Sequence, residues 1–410
     1  MTISELLSRF SIPADRKGRT NLILEIFLTG FAATLFLPLG EIRGTCMWGG
    51  FLVWLLVAEK NYLGKLARDR SFLLLLGLIG YALLSATWSP DPKGSFKSWK
   101  TTFDDYLCVI PVLVHFAYQP DFRARLMRIF SMAGLFSVFA DCAQYAYEFA
   151  SGAYREIDMR MAHYRRPLPL VLYAPFLLAR AHETSGRQRV LWGASFVIAG
   201  LLLLPTGARG AWLAFATATS LYFAFFLSFR QLLLIPVACA AILGGAYAVL
   251  PDDSIVVTKI NEGFSTSSRL EGTWRPAIDM SLEHPLRGAG FGKDIYFTQF
   301  TESVAAHPHW LIFQEKAPSP HNFYLHLWFS LGGIGLMVCL AMFVHFIRAF
   351  LAGHAVPGKG QVVFIAFLAS FTAHYLVRGM LETLTWAPLS MLAGVAIATS
   401  LWVRRAAQHS

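Results

Sequence analysis

Glu283-His284-Pro285-Leu286-Arg287-Gly288-Ala289-Gly290-Phe291-Gly292 lies inside the longest stretch of the chain, about Pro251 to Gly335, that contains no apolar run of membrane length. The same stretch holds Ser268-Arg269-Leu270, Trp274 and Pro320-His321-Asn322, and it is the densest mixture of Arg, His, Trp, Pro and Gly in the sequence. Apolar sequence flanks it on both sides. It therefore reads as a large polar loop that membrane helices hold against a bilayer.

Composition supports the bilayer. Of 410 residues, 55% are hydrophobic and 15% charged, with a mean hydropathy of +0.49, a balance that does not suit a soluble domain of this length. Apolar runs near the length of the hydrocarbon number about twelve. They centre on 22–39, 46–58, 71–87, 103–118, 126–149, 167–181, 190–205, 211–229, 231–250, 322–346, 361–377 and 387–403. The sequence thus predicts an all-α polytopic membrane protein with about twelve transmembrane helices. Residues 1–250 would carry helices one to nine, 251–320 the large outer loop with short helices, and 321–410 helices ten to twelve. The first residues carry Arg9, Arg16, Lys17 and Arg19 without a cleavable signal pattern, so the N-terminus reads as a retained cytoplasmic leader. The five cysteines have no metal-like spacing and read as packing residues.

Orientation follows from Lys and Arg in the short loops. One set, taken by alternate loops, is Lys60, Lys65, Arg68 and Arg70; Arg123, Arg125 and Arg128; Arg180, Arg187 and Arg189; Arg230, Arg348 and Lys359; Arg404 and Arg405. These belong on the cytoplasmic side, with both termini. The outer loops break the rule. They carry Lys93, Lys97 and Lys100, then Arg155, Arg160, Arg165 and Arg166, then Arg209, and in the large loop Lys259, Arg269, Arg275, Arg287, Lys293 and Lys316. Basic residues kept where topology disfavours them point to an anion held there. Lipid headgroups and a phosphorylated lipid substrate both meet that requirement. Glu25, Asp104, Asp105, His115, Asp141, Glu148, His345 and His374 are the ionisable residues expected at membrane depth, and they form no carboxylate chain of the kind a proton-coupled transporter needs.

Three outer stretches have residues that suit chemistry. Pro205-Thr206-Gly207-Ala208-Arg209-Gly210-Ala211-Trp212 is a tight turn with one arginine among small neighbours, so a guanidinium fork has room to grip a bulky anion; a snorkelling topology residue would look the same. In Ser267-Ser268-Arg269-Leu270, a serine cap would set Arg269 in the first turn of a helix, where the dipole also favours an anion. Pro320-His321-Asn322 opens a membrane helix and is expected to place His321 in its first turn, with a neutral imidazole able to accept a proton. The glycines of 288–292 lack the strand-to-helix context of a nucleotide site and read as a tight turn.

His321-Asn322, nine residues, Gly332, two residues, Gly335 resembles the His-[Asn/Ser/Gln]-x9-Gly-x-x-[Gly/Thr/Tyr] pattern of the O-antigen ligases. Arg269, Trp274 and His284-Pro285-Leu286-Arg287-Gly288-Ala289-Gly290 are similar to the large-loop signature of the wider ligase and polymerase superfamily. Arg209-Gly210-Ala211 resembles its Ser-Arg-Gly-Ala turn, with Ala208 where serine is usual. The resemblance implies a GT-C type fold in the Gram-negative inner membrane with its active site at the periplasm. It implies an inverting glycosyltransferase, with undecaprenyl pyrophosphate carrying the donor glycan and lipid A-core as acceptor. His321 and Arg269 would be catalytic, and Arg209 and Arg269 would bind the donor pyrophosphate. Arg160, Arg165 and Arg166 would meet acceptor or headgroup phosphates. The outer loops have no carboxylate cluster with ligand spacing, so no metal and no cofactor is expected, and arginines would take the metal's place. The expected partners are the lipid-linked donor, the acceptor and membrane lipids, with no nucleic acid. An O-antigen polymerase or a protein O-oligosaccharyltransferase would share the donor chemistry. A flippase for a lipid-linked anion would need polar residues continuing through the membrane, and an envelope scaffold would need no Arg/His constellation.

Overall fold

In a computed structural model of the chain, the described residues are 15–37, 39–57, 62–151, 167–252, 254–261, 270–304, 306–307, 310 and 319–408. They form helices and connections, with no strand among the described residues. The helices are α1 (Arg16–Thr34), α2 (Gly40–Val57), α3 (Arg70–Leu84), α4 (Pro92–Ala117), α5 (Phe122–Ala150), α6 (Pro167–Glu183), α7 (Gly186–Leu203), α8 (Arg209–Ala224) and α9 (Leu234–Val249). The large loop folds into α10 (Ile255–Asn261), the π-helical turn Leu270–Trp274, α11 (Arg275–Glu283) and α12 (Lys293–Val304). The chain closes with α13 (Phe323–Ala355), α14 (Val362–Phe371) and α15 (Ala387–Ala407).

Each of the twelve apolar segments overlaps a helix. Among the described residues, six helices are long and apolar enough to cross a membrane: Arg70–Thr87, Phe122–Ala150, Gly186–Thr206, Phe323–Ala355, Val362–Met380 and Ala387–Ala407. The helices over the other segments are shorter, as α6, α8 and α9 are, or mix charged residues with apolar ones, as α1, α2 and α4 do.

Helix starts follow the local chemistry. Asp69 caps α3 by accepting from Ser71 N (3.0 Å) and Phe72 N (3.2 Å), and Asp91, followed by Pro92, caps α4 by accepting from Gly94 N (2.9 Å). At one end of the bundle, Glu25 of α1 pairs with Arg125 (2.9 Å) and Arg128 (2.6 Å) of α5. The expected cytoplasmic cations are therefore tied to a buried carboxylate there.

The large loop is anchored by an interruption in α13. Gly332 has φ 63° and ψ −173°, a conformation open to glycine and strained for other residues. The break removes the helical hydrogen bonds that would join 329 to 333 and 330 to 334. The loop replaces all four half-bonds. Ala289 N donates to Phe329 O (2.8 Å), Gly290 N to Ser330 O (3.0 Å), Gly333 N to Pro285 O (2.8 Å) and Ile334 N to Leu286 O (3.2 Å). Buried backbone groups without partners are expensive, so loop and broken helix need one another. The approach is close enough that a Cβ on Gly332 would lie 2.2 Å from Leu286 O, and one on Gly288 2.5 Å from Gly332 N.

Gly332→Ala should therefore lower the melting temperature of the detergent-solubilised protein, with about 1–3 kcal/mol of backbone strain added to the clash. Gly244→Ala, where a Cβ meets nothing within 4 Å, should leave it unchanged. Equal melting of the two variants and the parent would refute the anchoring role.

Candidate active site

The polar end of the bundle encloses a cavity of about 910 Å³ whose walls come from distant parts of the chain. Arg43 of α2, Lys97, Thr101 and Asp105 of α4, Phe291 and Gly292 of the large loop, Pro320 and His321, and Glu382 to Ala387 before α15 all line it. The aromatic wall is a packed cluster in which Trp386 lies 5.9 Å from Phe103, 5.8 Å from Phe291 and 5.3 Å from Phe323, between ring centroids. Tyr106 donates from its hydroxyl to Trp386 O (2.8 Å), which fixes the backbone there.

His321 is one residue further out than the helix-start reading expected. Asn322 is the N-cap of α13, its Oδ1 accepting from Tyr324 N (2.9 Å) and Leu325 N (3.0 Å). His321 thus precedes the first turn, because the asparagine side chain takes the amide donors that a first-turn histidine would face. Its φ is +47°, the one positive φ at a non-glycine among the described residues. Left-handed backbone at such a residue costs about 1–2 kcal/mol, and surrounding contacts hold it. Asn322 Nδ2 donates to Met380 O (3.1 Å), and His321 Nδ1 lies 3.2 Å from Glu382 Oε2. The carboxylate accepts from Nδ1 and so orients the ring. A histidine oriented by a carboxylate at the wall of a large cavity is an arrangement suited to proton abstraction.

Arg209 is the first residue of α8 and is half-buried. Its turn is held by Gly207 at φ 62° and by Thr206, whose hydroxyl donates to Leu203 O (2.6 Å) and accepts from Ala208 N (3.2 Å). A hydroxyl is thus supplied to the turn two residues before Ala208. A Cβ on Gly210 would lie 3.5 Å from the Leu381 side chain, so the Arg209 turn abuts the segment that carries Glu382. Arg269 lies outside the described residues, immediately before the turn Leu270–Trp274, and Arg160, Arg165 and Arg166 also lie outside them. Of Lys97 and Lys100, expected to share a helical face, only Lys97 reaches the cavity wall.

Sequence reading passed over Glu382, Arg378 and Arg43. Glu382 is a lone acid in a short link between apolar segments. Arg378 falls just past the expected end of one segment, yet it is 3% exposed. An arginine bordering a membrane segment was the available signal. Its Nε and Nη1, with both ring nitrogens of His374 one turn earlier, have no hydrogen-bond partner among the described residues. Its carbonyl accepts from Glu382 N (2.9 Å), which couples it to the histidine's partner. Among the described residues no group of three or more His, Cys, Asp or Glu side chains is placed to hold a metal ion.

Residues 194–340 match the family model described as O-antigen ligase. That stretch of the chain is similar to an O-antigen ligase domain. The chain is also similar to the O-antigen ligase of Salmonella typhimurium (strain LT2), at 26% identity over 326 residues, 76% of this chain and 78% of that protein. The matched stretch contains the Arg209 turn, Arg269, the 284–290 loop, His321 and the Gly332 break, and it ends before Arg378 and Glu382.

Glu382→Gln should lower glycan transfer by about 10–100-fold, the usual effect of losing the partner that orients a functional histidine, while the protein still folds. Unchanged transfer would remove Glu382 from the site. Arg378→Met should leave the melting temperature unchanged or higher, since a buried charge with open donors is seldom worth its desolvation, and should lower transfer. A variant that loses stability but keeps transfer would assign Arg378 to the scaffold.

Proposed function

We propose that the chain is an O-antigen ligase that moves the O-antigen polysaccharide from undecaprenyl pyrophosphate to a sugar hydroxyl of lipid A-core, at the periplasmic face of the Gram-negative inner membrane. The observation that carries this reading is His321 beside Glu382 at the wall of a 910 Å³ cavity, with the Arg209 turn packed against Leu381, the residue before Glu382. In the proposed reaction, His321 Nε2 takes the proton of the acceptor hydroxyl as that oxygen attacks the anomeric carbon. A new carbon–oxygen bond forms on the face opposite the leaving group, so the configuration inverts. The bond from the anomeric carbon to the pyrophosphate breaks, and its electron pair leaves with the undecaprenyl pyrophosphate. Arg209 and Arg269 hold the departing charge through bidentate contacts, which lets the reaction proceed without a metal ion. Arg160, Arg165 and Arg166 meet acceptor or headgroup phosphates.

The same reading takes all twelve apolar segments as membrane spans in a GT-C type arrangement, with both termini cytoplasmic and 251–320 outside. What supports the placement is the sorting of charge. Arg125 and Arg128, expected inside, meet Glu25 at one end, while Lys97 and His321, expected outside, line the cavity at the other.

The test is transfer by purified protein, offered lipid-linked glycan with lipid A-core, with a second lipid-linked glycan, or with a peptide. Product should form on lipid A-core and should persist in excess chelator. Transfer only to another lipid-linked glycan or to peptide would replace the ligase reading by a polymerase or a protein glycosyltransferase. Loss in chelator, restored by Mg²⁺, would overturn the arginine counterions. His321→Gln should lower the rate by about 10²–10⁴-fold, the range for losing general-base help.

A further inference from the structure

A second cavity, about 500 Å³, lies where the start of α3 meets α13 and the end of α15. Ala387, which lines the first cavity, and Arg404, which lines this second one, are 17 residues apart on the unbroken helix α15. That separation spans about 26 Å of helix, comparable with a bilayer's hydrocarbon core of about 30 Å. The two cavities are thus set at opposite ends of the bundle, about one membrane thickness apart.

Four arginines line the second cavity: Arg68, Arg70, Arg348 and Arg404, with Asp69 as its single acid. Asp69 is 0% exposed and its carboxylate is fully committed. It accepts from Ser71 N and Phe72 N on one oxygen, and from Ser400 Oγ (2.7 Å) and Arg404 Nη2 (3.1 Å) on the other. The aspartate therefore neutralises Arg404 and has nothing left for the others. Arg68, Arg70 and Arg348 have no carboxylate partner within ion-pair distance among the described residues. Three like charges converging on one concave space repel unless an anion joins them. Ser71, His345 and Ser400 complete its polar part, and Ala349, Ala352 and Val403 supply its apolar part. Exposed Leu73, Leu76 and Val344 continue that apolar surface along α3 and α13 toward the middle of the bundle.

We propose that this cavity binds one anionic phospholipid of the leaflet opposite the catalytic cavity, its phosphodiester held by Arg68, Arg70 and Arg348 and its chains lying along Leu73, Leu76 and Val344. The proposal rests on the chain spanning a membrane and is independent of the transfer reaction. The apolar continuation selects a lipid over a soluble phosphate, because a free anion has no use for it. The basic cluster selects an anionic over a zwitterionic headgroup.

Native mass spectrometry of the delipidated full-length protein, titrated with phosphatidylglycerol, phosphatidylcholine or inorganic phosphate, tests the site. One phosphatidylglycerol should be retained in preference to phosphatidylcholine, and inorganic phosphate should not displace it. Arg68→Gln with Arg348→Gln should weaken that binding by about 30-fold, from two basic groups at the strength usual beside a membrane. Arg187→Gln with Arg189→Gln, a basic pair expected at the same face but outside the cavity, should not weaken it. If the double cavity variant does not fold, Arg348→Gln alone should cost about fivefold. Equal weakening by both pairs would overturn the site in favour of diffuse surface charge. Displacement by inorganic phosphate at comparable concentration would overturn it in favour of a soluble anion, and absence of any headgroup preference would refute it outright.

Discussion

A backbone amide inside a membrane protein has to find a partner within the protein, and the interruption of α13 at Gly332 puts four such groups at stake. The 285–290 segment satisfies each of them. That one exchange converts a membrane helix and a long polar loop into a single unit. Its other edge reaches the link between α3 and α4, since Phe291 N donates to Ser85 Oγ (2.9 Å) and Gly290 packs against Ser89. Phe291 then takes its place in the aromatic wall of the cavity with Phe103 and Trp386. The loop is therefore held where α3, α4 and α13 converge, and the cavity has a fixed floor.

The site on that floor is assembled by a second clamp. Asn322 caps α13 with one side of its amide and reaches Met380 O with the other, so the start of α13 and the turn after α14 move together. Tyr324 OH donates to Tyr375 O (3.0 Å), and Tyr375 OH to Thr385 O (3.2 Å), which extends the clamp on both sides of the Glu382 turn. His321 sits in left-handed backbone between the cap and that turn. The strain is compensated by the hydrogen bonds of Asn322, and the backbone sets the imidazole against the carboxylate. Arg378 lies behind the same turn, buried beside His374, where charge is retained at a cost in desolvation.

The same helices carry a different chemistry at their far ends. There Asp69 joins the cap of α3 to Ser400 and Arg404 of α15 through four accepted hydrogen bonds. The carboxylate is saturated by its structural work, and the cations around it are left to the solvent or the lipid. One end of the bundle thus pairs a histidine with an acid in a large cavity, and the other gathers guanidinium groups in a smaller one.

By itself the sequence determined that the chain is helical and membrane-like, because segment length and apolarity are local properties summed along the chain. It also marked His321, the Arg209 turn and the glycines of 288–292, since a helix start and a tight turn each leave a signature within a few positions, while Gly332 was marked only by the ligase-like pattern that it shares with His321. Only the tertiary structure decided that the glycines of 288–290 and Gly332 serve one contact, that His321 stands before the cap and not within the first turn, and that its partner is Glu382. The first and the last are pairings between residues 40 or more positions apart in sequence, 61 in the case of His321 and Glu382. Hydrophobic periodicity has no term for such a pairing. A lone acid in a short link looks the same whether it faces water or a histidine, and only the packing of α13 against the turn after α14 tells the two apart.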